Sequence, residues 1–548
     1  MPETELKFLV KVAPATLWSR LVGLGEGVGA AKTRTLRSIY YDTPDHALRN
    51  ASIALRMRRD GRRWIQTVKT GRLRSRGFSQ VGEIETPASG GRLCIEAIAD
   101  AVVRDAVLAC VGDAPLQPVC ETFIRRTTRE VSLGATRAEI AVDVGTISAN
   151  GRSAGIEEVE IELIEGDPQG LFEIARLLFP DGGLRFSRLS KSARGYLLAE
   201  KGVIEPPPTP RNALTVPLSR KQTAEEGARD ILRECVEQVL ANIEAVRALD
   251  APEGPHQLRI GLRRLRSSLA IFAPVAGSRE LQRLADEAQW LGREVGRLRD
   301  LDVVVHDIVR HEAEAHPDEA CLSVLLRGLE ARASDERSHL RETLATRRVQ
   351  DIALDLTRFV ETRGWLVHED MDQTARLAAP IADLAGAALG KCWKTVKKRA
   401  RGLRTLTVEE RHELRKALKK LRYAIEFLAP LYVPQRVAPM VKRLKRLQDT
   451  FGMLNDAAMV RQVLDDPAVA PPGDPVAQRA AGWVLGNGAA LRLRPAYLQP
   501  TVELKTSVPD LSGVRLALAL SPDPAFMRDS DGRIIFVNGA YEDIARAL

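Results

Sequence analysis

With 548 residues, 45% of them hydrophobic and 28% charged, the chain is long enough for two to four separately cored domains and too apolar for a disordered polymer. A net charge of +9 and a pI near 9.3 favour anionic partners such as nucleic acid, polyphosphate or acidic lipid. The six cysteines are scattered without a C-x-x-C pair, which speaks against a zinc site or a disulfide framework. No stretch reaches the length of a membrane span and no leader pattern opens the chain, so a soluble, cytoplasmic protein with reduced thiols is expected.

From Met1 to about Lys201 the pattern is one of short alternating strands, with helical punctuation at Pro14–Gly23 and Ile95–Cys110. In Glu3-Thr4-Glu5-Leu6-Lys7 the two-residue period of a strand puts Glu3, Glu5 and Lys7 on one face, and Leu6, Phe8 and Val10 on the other. Three charges on an inner face need a cation and an anion to meet them. The strand Ser52–Arg58 sets Arg56 and Arg58 opposite Ile53, Leu55 and Met57; Trp64–Thr70 carries Lys69; and Val81–Thr86 repeats the acidic spacing at Glu83 and Glu85. Thr122–Arg129 places Arg125 and Arg126 on opposite faces, and Ala138–Asp143 places Glu139 and Asp143 on the same one. In Glu158–Leu163 three carboxylates, Glu158, Glu160 and Glu162, line one face against Val159, Ile161 and Leu163. Strands that are charged on one side and apolar on the other suit a closed barrel with a charged bore and an outer shell of helices. Such a bore offers carboxylates to a divalent metal and Arg or Lys to phosphate oxygens.

Together with Tyr40-Tyr41-Asp42-Thr43 and Ser190-Lys191-Ser192-Ala193-Arg194-Gly195-Tyr196, these segments resemble, in order and across roughly the first 200 residues, the CYTH superfamily of triphosphate tunnel metalloenzymes. Among its members the bacterial inorganic triphosphatases look closest. The resemblance implies an α+β domain, an eight-stranded antiparallel β tunnel with covering helices, that hydrolyses triphosphate-containing substrates with Mg²⁺ or Mn²⁺. It implies a catalytic set of Glu3, Glu5, Lys7 and Lys69, with metal held by Glu3 and Glu5 together with Glu158, Glu160 or Glu162, and by Asp143. Phosphoryl oxygens would meet Lys7, Arg56, Arg58, Lys69, one or both of Arg125 and Arg126, Arg188 and Lys191, while an ordered water attacks in line.

The run Glu205-Pro206-Pro207-Pro208-Thr209-Pro210 continues neither sheet nor helix and marks a stiff linker, taken as 202–217, between a first domain of 1–201 and a second of 218–498. The second region has helical periodicity and an internal repeat. His256, Leu258, Arg259, Leu262, Arg263, Leu265 and Arg266 recur as His412, Leu414, Arg415, Leu418, Lys419, Leu421 and Arg422, an offset of 156 residues. The same offset joins Ala273-Pro274 to Ala429-Pro430, and Leu291, Gly296, Leu298 and Asp300 to Leu447, Gly452, Leu454 and Asp456. Leu258, Leu262, Leu265, Leu269 and Phe272, like Leu414, Leu418, Leu421, Ile425 and Leu428, form core stripes at helical spacing. The opposite stripes, His256, Arg259, Arg263, Arg266 and His412, Arg415, Lys419, Arg422, are nearly without acidic partners at i±4 and read as two symmetry-related basic surfaces for a linear polyanion. This region resembles the CHAD domain, which implies an all-α domain of two four-helix repeats that binds inorganic polyphosphate through these histidines and basic residues. The basic run Lys391, Lys394, Lys397, Lys398, Arg401 and Arg404 would extend that surface.

The tail, 499–548, contains Met527–Ala540, which resembles the opening of a PAS domain. The expected activity is metal-dependent hydrolysis of inorganic triphosphate or a related compound, with polyphosphate bound by the helical domain and an association with polyphosphate granules. The alternatives are a non-catalytic polyphosphate-binding or granule-targeting protein, and an adenylate cyclase of the same superfamily. No membrane partner is expected, and the lack of stacking aromatics along the basic stripe argues against nucleic acid.

Overall fold

The computed structural model describes residues 3–10, 13–21, 27–71, 77–401, 406–467, 469–471, 473–485, 526–528 and 534–537. The chain divides into two units, Met1–Thr209 with Glu342–Gly364, and Pro210–Arg341 with Trp365–Leu548.

The first unit is built on strands β1 (Glu3–Leu9), β2 (Lys32–Asp42), β3 (Ile53–Asp60), β4 (Arg63–Thr70), β5 (Phe78–Pro87), β6 (Gln117–Leu133), β7 (Thr136–Ala149), β8 (Arg152–Glu165) and the short β9 (Arg185–Phe186). They pair antiparallel in the order β5-β4-β3-β2-β6-β7-β8-β1, and β5 pairs again with β1, so eight strands close into a tunnel; β9 adds to β1 outside the ring. Closure leaves the eight strands without open edges. The β7–β8 turn is Asn150-Gly151 with both φ angles positive, 48° and 72°, the two-residue geometry whose twist matches flanking antiparallel strands.

The alternation that sequence reading assigns to these strands decides what lies outside. Leu6 and Phe8 of β1, Ile140 and Val142 of β7, and Val159 and Ile161 of β8 face away from the bore. There they join Leu171, Phe172, Ile174, Ala175 and Leu178 of helix α4 (Gln169–Leu178) in one core. Helix α1 (Pro14–Leu21) contributes Leu17 and Leu21 to it, and a helix from much later in the chain, α11 (Arg347–Glu361), contributes Leu354. Helices α2 (Ala47–Asn50) and α3 (Ala101–Val111) cover Leu55 and Val68, while α5 (Lys191–Lys201) covers Ile147 and Ile156 through Leu198. The tunnel is therefore apolar on its outer wall and polar within.

As far as Trp483 the second unit is built of helices: α6 (Ala224–Ala248), α7 (Glu253–Ala276), α8 (Arg279–Asp302), α9 (Arg310–Ala315), α10 (Ala320–Ala345), α12 (Met371–Ala378), α13 (Ile381–Arg399), α14 (Val408–Leu428), α15 (Pro434–Leu464) and α16 (Pro475–Trp483). At the 156-residue offset α6, α7, α8 and α10 fall on α13, α14, α15 and α16, the two four-helix repeats that the sequence implies. The repeat starts meet: Ala224 N donates to Ala379 O at 2.7 Å, and Ile381 N donates to Gln222 O at 3.1 Å. Both leucine stripes are buried, from Leu258 to Phe272 and from Leu414 to Leu428. The side chains of 447–458 lie outside the described residues, and so do Arg404 and, apart from the hairpin β10 (Phe526–Arg528) and β11 (Ile534–Val537), the PAS-like opening. Residues 206–219 carry neither helix nor strand. Among the described residues no helix is long and apolar enough to cross a membrane, and the six cysteines are free thiols.

Candidate active site

The bore of the first unit holds a cavity of about 1020 Å³ whose wall includes Glu3, Glu5, Lys7, Arg56, Arg58, Lys69, Arg126, Asp143, Glu160, Glu162 and Lys191. Register explains why residues so far apart in sequence meet: β1 lies between β5 and β8, with Glu5 opposite both Ser79 and Glu162, and Lys7 opposite Glu160. Across the next pair Glu139 lies opposite Glu162, which brings Glu3, Glu5, Glu139 and Glu162 to one side of the bore.

That side is rich in acid and short of base. Burial, then the charges of Glu5 and Glu160, pushes the Glu162 carboxyl up to about 7. Burial likewise raises Glu3 to about 8, with Glu5 and Glu83 adding to the rise and Lys69 opposing it. Ser79 Oγ donates to Glu5 Oε1 at 2.7 Å, but Glu5 Oε2 is buried without a hydrogen-bond partner. A crowd of carboxylates with an unpartnered buried oxygen matches a hard divalent cation, whose ligands are oxygens.

Around this group the cations are all held by acids. Lys7 Nζ lies 3.1 Å from Glu5 and 2.9 Å from Glu160, and Lys69 Nζ lies 2.7 Å from Glu3 and 2.8 Å from Glu83. Arg56 reaches Glu83 at 2.8 Å, and Arg58 pairs with Glu85. Burial works against ionised Glu83, yet Lys69 and Arg56 hold it down to about 2. Arg126 donates twice to Asp143, each time at 2.7 Å, and once to Glu160 at 2.6 Å. Lys191, presented by the first turn of α5 with Ser190 as its N-cap, reaches Asp143 at 2.7 Å, Glu160 at 2.9 Å, and Glu158. Despite burial, those three carboxylates hold Lys191 well above the usual lysine range.

Asp143, Glu158 and Glu160 lie close enough together, with ligand atoms within 4.8 Å of one another, to hold a metal ion themselves. In this structure Lys191 and Arg126 occupy that acidic triad, and Arg194 backs it, its Nη1 lying 3.0 Å from Glu158 Oε2. Glu3, Glu5 and Glu162 make up the other acidic side of the bore, where Lys69 pairs with Glu3 and Lys7 with Glu5.

Two expected site residues lie off the cavity, and a third lies behind its wall within the acidic triad. Arg125 is exposed on the outer face of β6, because its neighbour Arg126 takes the inward position and a strand alternates. Arg188, in the loop before α5, is exposed and away from the cavity. Glu158 is 1% exposed and lies behind Lys191 rather than on the cavity wall. The structure also brings in Ser79, Arg34, Arg49 and Tyr196, which alternation alone does not single out. Asp42 of the Tyr-Tyr-Asp-Thr segment serves the frame: it accepts from Thr43 N, Leu48 N and Arg49 N at 2.8, 2.9 and 3.1 Å, and from the Tyr196 hydroxyl, joining α2 to α5.

In the second unit the two basic stripes meet as one cluster. Arg263 and Lys419 are repeat equivalents, and each feels the other's surroundings: burial, then Arg263, Arg415, Arg259 and Arg422, lowers Lys419 to about 7. Burial followed by cations including Arg259, Arg422 and Arg299 also lowers Arg263. Helix packing joins the two symmetry-related basic surfaces: α7 and α14 lie against each other, with Arg264 of α7 paired to Glu426 of α14 at 3.2 Å and placed 4.6 Å over the Phe427 ring. Arg259 also bonds Asp300 at 2.5 Å, and Arg266 bonds Gln289 at 2.6 Å. His256 is half-buried beside Arg299, which together with burial lowers it, and His412 is exposed. Lys391, Lys394, Lys397 and Lys398 are exposed along α13.

The sequence profile of the CYTH domain matches residues 1–196, and that of the CHAD domain matches residues 230–465. An inorganic triphosphatase of Haemophilus influenzae is 32% identical over 167 residues, 30% of this chain and 46% of that relative, so the chain spans about half the length of this relative. An uncharacterized protein of Mycobacterium tuberculosis is 26% identical over 483 residues, 81% of this chain and 86% of its own length. A solved CHAD domain from the plant Ricinus communis matches 52% of this chain and 93% of its own, at 27% identity and a TM-score of 0.45.

Proposed function

We propose that this chain, a CYTH domain joined to a CHAD domain, hydrolyses a phosphoanhydride bond of inorganic triphosphate or a related triphosphate compound inside the tunnel. The observation that carries this reading is the division of charge in a closed bore, with Glu3, Glu5 and Glu162 crowded on one side and Lys7, Lys69, Arg56, Arg58, Arg126 and Lys191 around them. Mg²⁺ or Mn²⁺ fits Glu3, Glu5 and Glu162, since these are hard oxygen donors and Glu5 Oε2 is the buried atom without a partner. When bound, the cation would offset negative charge on the phosphoryl oxygens. The chain's own cations do the rest: Lys7 and Lys69 exchange carboxylates for phosphate oxygens, and Arg56, Arg58 and Arg126 bind through planar forks. Held between these groups, the bridging oxygen leaves with its electron pair into a positive field as a water attacks in line from the opposite side. The enclosing wall limits bulk water, and no covalent nucleophile is required.

The helical unit, in this reading, binds polyphosphate on the joined cluster of His256, Arg259, Arg263, Arg266, His412, Arg415, Lys419 and Arg422. In the cytoplasm this would bring the enzyme to polyphosphate granules. The decisive assay is phosphate release from tripolyphosphate with Mg²⁺ or Mn²⁺, run beside ATP and thiamine triphosphate and with cyclic AMP measured in the ATP arm. Release from tripolyphosphate is expected, reduced on the order of 10²-fold or more in Glu5→Ala and Glu162→Gln. Full activity in Glu5→Ala would remove the metal role, and binding of polyphosphate without turnover of any substrate would favour the non-catalytic reading.

A further inference from the structure

Helix α11 lies between α10 and α12 in sequence, deep in the helical half of the chain, yet it belongs to the tunnel unit. Its attachment there is polar as well as apolar. Leu354 is fully buried in the core that also holds Leu6 and Phe8 of β1 and Leu171, Ile174 and Leu178 of α4. The Gln350 side chain works in both directions, accepting from Leu184 N at 3.1 Å and donating to Phe179 O, so it pins the loop that leads into β9. Arg176 of α4 pairs with Asp351 at 3.3 Å and with Asp355, and Arg358 donates to Gln169 Oε1 at 3.0 Å. At the start of this segment Gly182, with φ 92°, passes so near the backbone of 345–347 that a Cβ there would meet Ala345 O at 2.5 Å. Such burial is characteristic of an integral part of a core: Gln350, Asp355, Thr357 and Glu361 are buried along with the apolar stripe, and a buried polar group is tolerated only where partners await it.

We propose that α11 is an intramolecular docking helix: the C-terminal part of the chain grips the tunnel unit through the face formed by α4 and the 179–184 loop, and by doing so backs the strand that carries Glu3, Glu5 and Lys7. The partner that fits this face is therefore a defined segment of the same chain, Glu342–Gly364. The covalent linker at 205–210 is then dispensable for keeping the two parts of the chain together, and a tunnel domain cut out at that linker lacks a piece of its own core. This inference is independent of the reaction proposed above.

The test keeps the full chain and inserts a specific protease site between Thr209 and Pro210. After folding, the purified protein is cleaved and run on a size-exclusion column at micromolar concentration. The two fragments are expected to elute together, and in the variant Gln350→Ala/Asp351→Ala/Asp355→Ala, shown by circular dichroism to be folded before cleavage, they are expected to separate or to exchange with labelled fragment at least ten-fold faster. A second variant, Arg176→Ala, alters the same contact from the tunnel side and is expected to speed exchange as well. Separation of the uncut-sequence fragments on cleavage, or exchange in both variants as slow as in the parent, would overturn the proposal. Neither readout involves phosphate release, so its failure is distinguishable from failure of the triphosphatase reading.

Discussion

Arg125 and Arg126 are adjacent in sequence and on opposite sides of a wall, and that is where residue-level reading reaches its limit. Alternation says that one of them enters the bore, but only the pairing of β6 with β7, which sets Arg126 opposite Asp143, decides which. The consequence is a paired prediction. Arg126→Ala removes a fork that holds Asp143 and Glu160 and faces the cavity, and is expected to reduce kcat/KM for triphosphate on the order of 10²-fold. Arg125→Ala and Arg188→Ala, both exposed and off the cavity, are expected to stay within about two-fold of the parent. Steady-state kinetics on the three variants checks this, and an equal loss in Arg125→Ala would mean that the wall has been assigned backwards. Glu3, Glu5, Lys7 and Glu162 were legible from their spacing because a strand shows its faces in its sequence. Glu158 shares that spacing and yet lies behind Lys191, since α5, 33 residues on, supplies the ammonium that takes it. Position along a strand gives a face but not the depth at which a neighbouring helix covers it.

At the scale of elements, the 156-residue repeat announces that α7 and α14 are equivalent but not that they touch. Their leucine stripes and their basic stripes follow from helical periodicity. The meeting of the basic stripes depends on the crossing of the two helices, fixed by Arg264 against Glu426 and Phe427, contacts that no single-helix pattern contains. Convergence has a titration consequence at Lys419, whose pKa burial and the surrounding Arg263, Arg415, Arg259 and Arg422 lower to about 7. A lysine depressed in the folded state binds fewer protons than its unfolded form between about pH 7 and its ordinary value. Its penalty on stability is therefore fully present below pH 7 and is relieved as pH rises across that window. Polyanion binding has the opposite sign, because it uses the charged form. Polyphosphate affinity is expected to fall as pH rises from 6 to 8.5, with proton uptake on binding near neutral pH, and Lys419→Arg is expected to flatten that profile. Titration calorimetry in buffers of different ionisation enthalpy reads the proton uptake directly, and a flat profile in the parent would remove Lys419 from the binding surface.

For the molecule as a whole, sequence suggests two domains strung in order, and one helix breaks that order. At the repeat offset the segment 342–364 falls on 498–520, outside the described residues. Its destination depends on a face of α4 that sequence cannot pair with it. Ligand linkage gives this arrangement a measurable consequence. A ligand bound only by the folded tunnel stabilises it by RT ln(1 + [L]/Kd), about 2.7 kcal/mol at a hundred times Kd. Amides whose exchange requires that core to open slow by the same factor, about 100-fold at that concentration. Because Leu354 shares its core with Leu6 and Phe8, the amides of α11 belong to this set although they lie more than 330 residues from β1. Hydrogen exchange followed by mass spectrometry, with Mg²⁺ and a non-hydrolysable triphosphate analogue, is expected to show slowing in peptides of 347–361 together with those of β1 and β8, and none in peptides of α6 to α8. Slowing in β1 and β8 without α11 would mean that the helix opens on its own and that the core it enters is complete without it.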